Sequence, residues 1–159
     1  MVSEHMSQPY KFVCVDDSPF PGWWAKVSLF QPGRFSGRVL YLDLDVTIVG
    51  ALDDLADYPY PFAAIRDYQY PLQINSSVMA WDAGVADCVY NDFTQEVMDR
   101  LHGDQNWVNE KIPDVARFPA GWCRSYRQEC RFSVPKGTRV VVWHGMPKPW
   151  TSNTELVMA

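Results

Sequence analysis

Apolar residues are grouped along this chain in short runs that are separated by turn-forming residues. Short runs rich in Val, Ile, Leu and aromatic residues are typical of β-strands. The predicted strands are residues 10–15, 38–42, 62–65, 77–81, 122–126 and 139–143. Between several of these runs, apolar residues recur with helical spacing. The predicted helices are residues 23–30, 51–56, 92–101 and 106–111.

The order of these elements predicts the fold class. Strands and helices are interspersed without an internal repeat, a pattern typical of a compact α/β domain. We expect a central mixed, mostly parallel sheet that is flanked by helices. In the clearest helix, Asp92 is expected to be the N-cap and Gly103 to follow the C-terminus. One domain is expected over residues 1–159, with flexible tails at 1–9 and 151–159.

Composition and charge narrow the function classes. The chain has 159 residues, of which 47% are hydrophobic and 14% aromatic, and these values are typical of a folded domain. Its net charge of −5 argues against a nucleic-acid-binding surface. No apolar run approaches the roughly 20 residues of a membrane span. The cysteines at 14, 88, 123 and 130 lack the spacing of a zinc site, so we expect a cytoplasmic protein with reduced thiols.

The predicted strand at 38–42 runs directly into two acidic residues, Asp43 and Asp45. Because side chains alternate along an extended chain, both carboxylates are expected on the same side. Acids at the end of a buried strand are costly unless a cation or hydrogen-bond donors meet them, and a divalent metal would do so. With 14 aspartates in the chain, roughly one Asp-x-Asp pair is expected by chance. The position of the pair therefore matters more than its presence.

His144 follows the predicted strand at 139–143 and is the candidate third ligand. A neutral imidazole together with two carboxylates suits Mn²⁺, whereas Mg²⁺ prefers a shell made of oxygen atoms. We therefore predict that Asp43, Asp45 and His144 hold Mn²⁺, with Mg²⁺ as the alternative ion.

The loop after His144 contains further candidates for ligand binding. Gly145 would let the backbone approach a ligand closely. Lys148 would place a point charge on phosphate oxygens. Trp150, at the end of the Lys-Pro-Trp run, is the tryptophan that we expect near the ligand. These three residues are the predicted phosphate- and nucleotide-binding set.

Five segments match, in order, the pattern of a known enzyme family. They are Trp24-Ala-Lys26 with Leu29-Phe30, Arg38-Val-Leu-Tyr-Leu-Asp43-Leu-Asp45, Asn75-Ser-Ser-Val-Met79, Gly103-Asp-Gln105 with Asn109, and His144-Gly145 with Lys148-Pro-Trp150. In these segments the chain resembles glycosyltransferases of the GT-A fold, in particular the glycogenin-like and lipopolysaccharide-type transferases of family 8. Ordered matches across residues 23–150 are more specific than any one of them.

The resemblance implies that the protein transfers a sugar from a nucleotide diphosphate sugar, a UDP-sugar in particular, to a hydroxyl group of an acceptor. It implies that the donor sugar is bound by Lys26, Asn75, Ser76, Asp104 and Gln105. It suggests retention at the anomeric carbon. No catalytic nucleophile or base is identified from the sequence.

The chain departs from the family pattern in two ways. An N-terminal strand and helix, which form much of the floor under the nucleotide base in the family, are predicted to be missing before residue 10. Ser77 stands where a glycine is usual, which would tighten the space beside the sugar. One alternative is that a second subunit completes the base pocket, which would make the protein an obligate homo-oligomer. The other alternative is a shortened, non-catalytic protein that binds or sequesters a nucleotide or nucleotide sugar, or serves as an interaction module.

Structural roles remain open for the same residues. The acid pair could cap the following helix and loop, and a lone histidine after a strand is more often structural than a metal ligand. Lys26 on an amphipathic helix is ordinarily solvated. Asp104 could cap the helical turn at 106–111, and Asn75 could form a turn before its strand.

Overall fold

Two β-sheets form the framework of the protein. The computed structural model describes residues 2–152 and 156–159. The strands are β1 (Arg38–Leu42), β2 (Val46–Ile48), β3 (Phe62–Arg66), β4 (Ile74–Asp82), β5 (Ala116–Arg117), β6 (Cys123–Ser125) and β7 (Val140–Val142). One sheet has the strand order β1-β4-β3-β5, and the other has the order β2-β7-β6. Residues 43–45 alone separate β1 from β2, so the chain passes there from one sheet to the other.

Short helices flank the sheets. The α-helices are α1 (Val2–His5), α2 (Asp53–Ala56), α3 (Asp87–Asn91), α4 (Gln95–Arg100) and α5 (Asp104–Lys111). Residues Gly22–Phe30 form a 3-10 helix, and Tyr126–Cys130 form a π-helical turn after β6. An α/β fold with mixed sheets and flanking helices, as expected from the sequence, is confirmed. None of the helices within residues 2–152 and 156–159 is long and apolar enough to cross a bilayer.

The prediction of a mostly parallel sheet is wrong. Antiparallel pairing joins β1 to β4, β3 to β4 and β2 to β7. Parallel pairing joins β3 to β5 and β6 to β7. The connection between β3 and β4 explains part of the difference, because residues 67–73 are fewer than the roughly dozen residues that a parallel crossover needs.

Two other predicted elements differ from those observed. Residues 10–15 form no strand, and Phe12 among them is 73% exposed; an apolar run becomes a strand only where a neighbouring strand pairs with it. The helix predicted at 92–101 begins only at Gln95, because Thr94 has an extended backbone with φ −138° and ψ 169°. Thr94 is therefore the N-cap of α4, whereas Asp92 follows the last residue of α3.

Both faces of the four-stranded sheet are buried. Alternate residues of β4 point to opposite sides of the sheet. Met79 and Trp81 pack with the 3-10 helix, α3 and α5. Val78 and Ala80 pack on the other face with α2 and β7, where Leu55 is completely buried and joins the two sheets.

Both ends of the described chain contact the rest of the protein. The carbonyl of His5 accepts a hydrogen bond of 2.7 Å from the backbone N–H of Leu52. Met158 forms an isolated bridge with Val134. Segments predicted to be flexible tails therefore make backbone hydrogen bonds to neighbouring elements. Residue 1 and residues 153–155, which belong to the same predicted tails, lie outside the described residues.

Candidate functional site

The two predicted metal-binding aspartates lie on the link between the sheets. Asp43 and Asp45 belong to the segment 43–45 that joins β1 to β2. They lie outside both strands, and Leu44 between them is 90% exposed. The strand alternation that predicts both carboxylates on one side does not extend through this turn. Each aspartate instead forms an ion pair with a different lysine.

Asp43 belongs to a largely buried polar network. Its carboxylate accepts a hydrogen bond of 2.6 Å from the hydroxyl of Tyr41 and lies 3.0 Å from Nζ of Lys26. Nζ of Lys26 also donates to Oγ of Ser76 at 3.0 Å and lies 3.5 Å from a carboxylate oxygen of Asp104. The network closes because Ser76 Oγ donates to Asp104 at 2.7 Å. Residues from four predicted motifs thus meet in one place.

The charge state of this network follows from its burial. Burial by itself lowers the pKa of Lys26, but the carboxylates of Asp104 and Asp43 outweigh burial and raise that pKa above its ordinary value. Lys26 is therefore a charged ammonium group, and its side chain is only 13% exposed, which excludes a merely solvated role. Burial, with the charge of Asp43, raises the pKa of Tyr41 far above its usual range. Tyr41 thus remains a hydrogen-bond donor to Asp43.

Asp45 is paired with Lys148. Nζ of Lys148 contacts the carboxylate of Asp45 and donates to the carbonyl of Trp143 at 3.2 Å. The backbone N–H of Trp143 in turn donates to the carbonyl of Asp45 at 3.0 Å. The loop after β7 is thereby tied to the link between the sheets. In this structure Lys148, the predicted phosphate ligand, is bound to an acid of the protein.

His144 lies directly after Trp143 and is held on two sides. Its Nε2 atom lies 2.7 Å from Oγ of Ser125, the last residue of β6. The ring of Tyr68 stacks on the imidazole with the ring centroids 5.0 Å apart. Burial lowers the pKa of His144, and the charge of Arg127 lowers it further. The neutral imidazole, which is the form that binds metals, is therefore favoured at neutral pH.

The predicted metal ligands are side chains of types that suit a divalent cation. The carboxylates of Asp43 and Asp45 and the imidazole of His144 are groups that bind Mn²⁺. Within residues 2–152 and 156–159, however, no three side chains of His, Cys, Asp or Glu are gathered closely enough to hold an ion. The ammonium groups of Lys26 and Lys148 provide the positive charge beside the two acids. Asp45 would have to exchange Lys148 for the cation.

A cleft of about 660 Å³ opens beside His144. It is lined by the predicted residues Asn75, Gln105 and His144, together with Asp67, Tyr68, Gln69, Tyr70, His102, Arg127 and Gln128. This volume is within the range of roughly 300–1,000 Å³ that is typical of small-molecule sites. No aliphatic side chain is present in this lining, so the cleft suits a polar, hydroxyl-rich or charged ligand better than an apolar one.

The predicted sugar-binding residues of the loops and strand ends also make local hydrogen bonds. Oδ1 of Asn75 accepts from the backbone N–H of Ser77 at 2.9 Å, but Asn75 lies inside β4, so the alternative that it forms a turn before its strand is wrong. Nε2 of Gln105 donates to the carboxylate of Asp67 at 3.0 Å. The alternative that Asp104 is an N-cap is wrong, because the preceding residue is the N-cap of α5 and the Asp104 side chain belongs to the buried network.

Gly145 and Trp150 occupy different surroundings. Gly145 has a φ of 70°, a left-handed conformation that favours glycine. A Cβ atom there would lie 3.0 Å from Nη1 of Arg127, so the backbone passes close to that guanidinium group. Trp150 is 67% exposed and is not part of the cleft lining. Its place near a ligand stays a prediction.

Sequence reasoning misses seven residues of the cleft lining, and Asp67, Tyr68 and Arg127 are among them. Asp67 follows the last residue of β3, and an acid directly after a buried strand is a signal that could have pointed to it. Tyr68 and Arg127 carry no comparable signal. Their positions depend on how the loop after β3 and the π-helical turn after β6 approach His144.

The arrangement as a whole can bind a ligand with several hydroxyl groups and negative charge. Carboxylates accept hydrogen bonds from hydroxyl groups, while amide, ammonium and guanidinium groups donate them to hydroxyl or phosphate oxygens. These groups come from residues 26–148 and meet around the junction of the two sheets. No protein-family model matches the chain, and no curated protein matches its sequence.

Proposed function

We propose that this protein is a metal-dependent glycosyltransferase that uses a nucleotide diphosphate sugar, in particular a UDP-sugar, as donor. The observation that carries the proposal is the network of Lys26, Asp43, Ser76 and Asp104. The residues of this network come from different motifs, which predict them as ligands of the sugar or of the metal. A network of charges with so little exposure contributes little to stability compared with apolar packing, which favours a role in ligand binding.

The network and the cleft take residues from the same two chain segments. Ser76 and Asp104 directly adjoin Asn75 and Gln105, which line the cleft. An ammonium group donates hydrogen bonds and a carboxylate accepts them, so Lys26 and Asp104 together suit neighbouring hydroxyl groups of a sugar ring. These contacts support binding of the donor sugar at the Asn75 side of the cleft.

In this proposal Asp43, Asp45 and His144 would hold the cation, either Mn²⁺ or Mg²⁺. A cation bound there stabilises negative charge on the leaving diphosphate. Lys148, once Asp45 has a divalent partner, is available for phosphate oxygens of the donor. The acceptor is a hydroxyl group whose chemical class the proposal leaves open.

Turnover with a panel of donors tests the proposal. The purified protein, incubated with Mn²⁺ and UDP-, GDP- or CDP-sugars, is expected to release a nucleoside diphosphate from at least one donor, by hydrolysis or by transfer. Release can be followed by ³¹P NMR. Absence of turnover with every donor, together with absence of Mn²⁺-dependent nucleotide binding, contradicts the proposal.

Substitution of Asp45 tests the metal-binding role directly. Asp45→Asn keeps the size of the side chain and removes its charge, so Mn²⁺-dependent nucleotide binding should be lost while the protein stays folded. His144→Ala should have the same effect. Asp114→Asn is the matched control, because Asp114 is exposed and has no hydrogen bond or ion pair within the described part of the chain. Ligand-induced thermal shifts report the binding in all three variants.

Binding without transfer is the second candidate function. The observation that favours it is that Asp43 and Asp45 each already have a lysine partner, so much of their negative charge is offset without a divalent ion. A protein of this kind would show a thermal shift with a nucleotide or nucleotide sugar in the presence of EDTA, and no turnover with Mn²⁺. Metal-dependent turnover excludes it.

A second subunit that completes the base pocket stays a prediction. Static light scattering of the active protein measures the mass in solution. A monomer that is fully active excludes an obligate oligomer.

A further inference from the structure

Arg127 is a cation of the cleft that forms no ion pair with any described residue. It belongs to the π-helical turn Tyr126–Cys130, is exposed, and lines the cleft beside His144. Within residues 2–152 and 156–159, its guanidinium group has no hydrogen bond and no ion pair. The turn itself is fixed, because Oγ of Ser125 accepts a hydrogen bond of 3.1 Å from the backbone N–H of Gln128.

The nearby acids are occupied by other groups. Glu129, on the same turn, is paired with Arg124 at 2.6 Å and also accepts a hydrogen bond from a backbone N–H. Asp67, which also lines the cleft, accepts hydrogen bonds from Gln105 and from two backbone N–H groups of its own loop. Neither acid forms an ion pair with Arg127 in the described part of the chain, so its positive charge is available to attract an anionic ligand.

The backbone at Gly145 lies against this guanidinium group. A Cβ atom at Gly145 would be 3.0 Å from Nη1 of Arg127, and the φ of 70° at Gly145 is one that side chains rarely adopt. The backbone conformation favours glycine here, whereas the guanidinium group is the far end of a flexible side chain and could move away from an added Cβ atom. Gly145 also directly follows His144, so the guanidinium group and the histidine lie at the same end of the cleft.

Lys148, the predicted phosphate ligand, is in contrast already bound to groups of the protein. Lys148 contacts the carboxylate of Asp45 and the carbonyl of Trp143. An ammonium group that is held by a carboxylate attracts an anion less strongly than a free guanidinium group does. Arginine also presents two parallel donors to phosphate oxygens, which lysine cannot do.

We infer that Arg127, together with the main chain at Gly145, forms an anion-binding subsite of the cleft that receives a diphosphate group. This inference rests on the proposed function in one respect, since a nucleotide sugar is the source of the diphosphate there. The subsite itself requires no metal. Arg127 rather than Lys148 makes the first phosphate contact.

The test is the binding of inorganic diphosphate in EDTA, measured by isothermal titration calorimetry at constant ionic strength. Arg127→Gln should weaken binding about ten- to hundredfold, which is the effect of removing one charged hydrogen-bonding group. Arg127→Lys should bind with intermediate affinity because the charge is kept and the paired donors are lost. Lys148→Gln should bind diphosphate within about threefold of the wild type under these conditions.

Arg131→Gln is the matched control. Arg131 is an exposed arginine directly after the same turn and does not line the cleft. Its substitution should leave the affinity unchanged. Equal loss in Arg127→Gln and Arg131→Gln would indicate a general charge effect and overturn the inference. Unchanged affinity in Arg127→Gln, or no binding of diphosphate to the wild type, would overturn it as well.

This experiment separates the inference from the proposed function. Diphosphate binding that depends on Arg127, in a protein that turns over no donor with Mn²⁺, would support the subsite and contradict the transferase. Turnover that is lost in Asp45→Asn but unchanged in Arg127→Gln would support the transferase and contradict the subsite. Far-UV circular dichroism confirms that each variant is folded.

Discussion

Oγ of Ser125 lies 2.7 Å from Nε2 of His144. Ser125 ends β6 and His144 follows β7, and the two strands pair in parallel with Ser125 opposite Val142. Because Ser125 is completely buried, its contact with Nε2 turns that edge of the imidazole towards the protein interior. The Nδ1 edge is therefore the one that remains for a metal or a phosphate group.

The first prediction concerns this contact. Ser125→Ala leaves His144 Nε2 and the backbone N–H of Gln128 without their shared partner. We expect the free energy of unfolding to fall by about 1–3 kcal/mol, which is the usual effect of a buried polar group without a partner. We also expect altered ¹⁵N chemical shifts of the His144 ring, because its tautomer is no longer held.

Ser36→Ala is the control for that prediction. Ser36 is exposed and has no hydrogen bond within the described residues. It should change neither the unfolding free energy nor the His144 ring shifts. If the ring shifts of Ser125→Ala equal those of the wild type, Ser125 does not position the histidine.

The second prediction concerns the buried ammonium group of Lys26. Lys26→Met keeps the length of the side chain but leaves the carboxylates of Asp43 and Asp104 without their cation. Because an uncompensated buried charge is costly, we expect a loss of about 3 kcal/mol in urea unfolding. Arg100→Met breaks an exposed ion pair with Glu110 and should cost much less. Similar losses in the two variants would show that the network does not behave as a buried one.

The third prediction concerns the core between the two sheets. Leu55 is completely buried and packs in the cluster that contains residues of β4 and β7. Leu55→Ala should lower the free energy of unfolding by about 2–5 kcal/mol, because it removes apolar contacts and leaves a cavity. Leu72 is 95% exposed, so Leu72→Ala should change stability by no more than about 0.5 kcal/mol. Equal effects would contradict the packing described above.

The fourth prediction concerns thiol reactivity and its pH dependence. Burial raises the pKa of Cys123 to about 12 and that of Cys130 to about 11. Since the thiolate is the reactive form, these two cysteines should react slowly with a disulfide reagent at about pH 8, and their rates should rise as the pH increases towards those pKa values. Cys14 is exposed and should react rapidly.

Two variants check this assignment of the thiols. Cys14→Ser should reduce the fast phase by one thiol equivalent. Cys123→Ser should leave the fast phase unchanged and remove one slow equivalent. A fast phase that decreases in Cys123→Ser would show that this thiol is accessible and ionises easily.

Local pattern predicts part of this fold correctly. The strand at 38–42 is confirmed, and the strand predicted at 139–143 is confirmed over Val140–Val142. The second is a run of β-branched residues, and the first contains Val39 and Tyr41, which are also residue types that favour strands. Residues 10–15 have a similar pattern but form no strand. The difference lies in the partner: β7 lies between β2 and β6, and the segment 10–15 has no strand beside it.

The candidate site is also predicted only in part from the sequence. Motif order alone brings Lys26, Asp43, Ser76 and Asp104 together as candidates, and all four meet in the structure. Those motifs do not predict which acid each lysine contacts. Lys148 is 103 residues away from Asp45 in the chain, and their contact depends on the position of the loop after β7.

The sequence by itself determined an α/β domain with helices flanking mixed sheets, and it identified an acid pair and a basic loop as the places where chemistry would lie. These features depend on residue type and short-range spacing. Only the tertiary structure decided the antiparallel pairing, the lysine partner of each aspartate and the exposure of Arg127 in the cleft. The physical reason is that such contacts join residues far apart in the chain, so they depend on how all the elements pack at once.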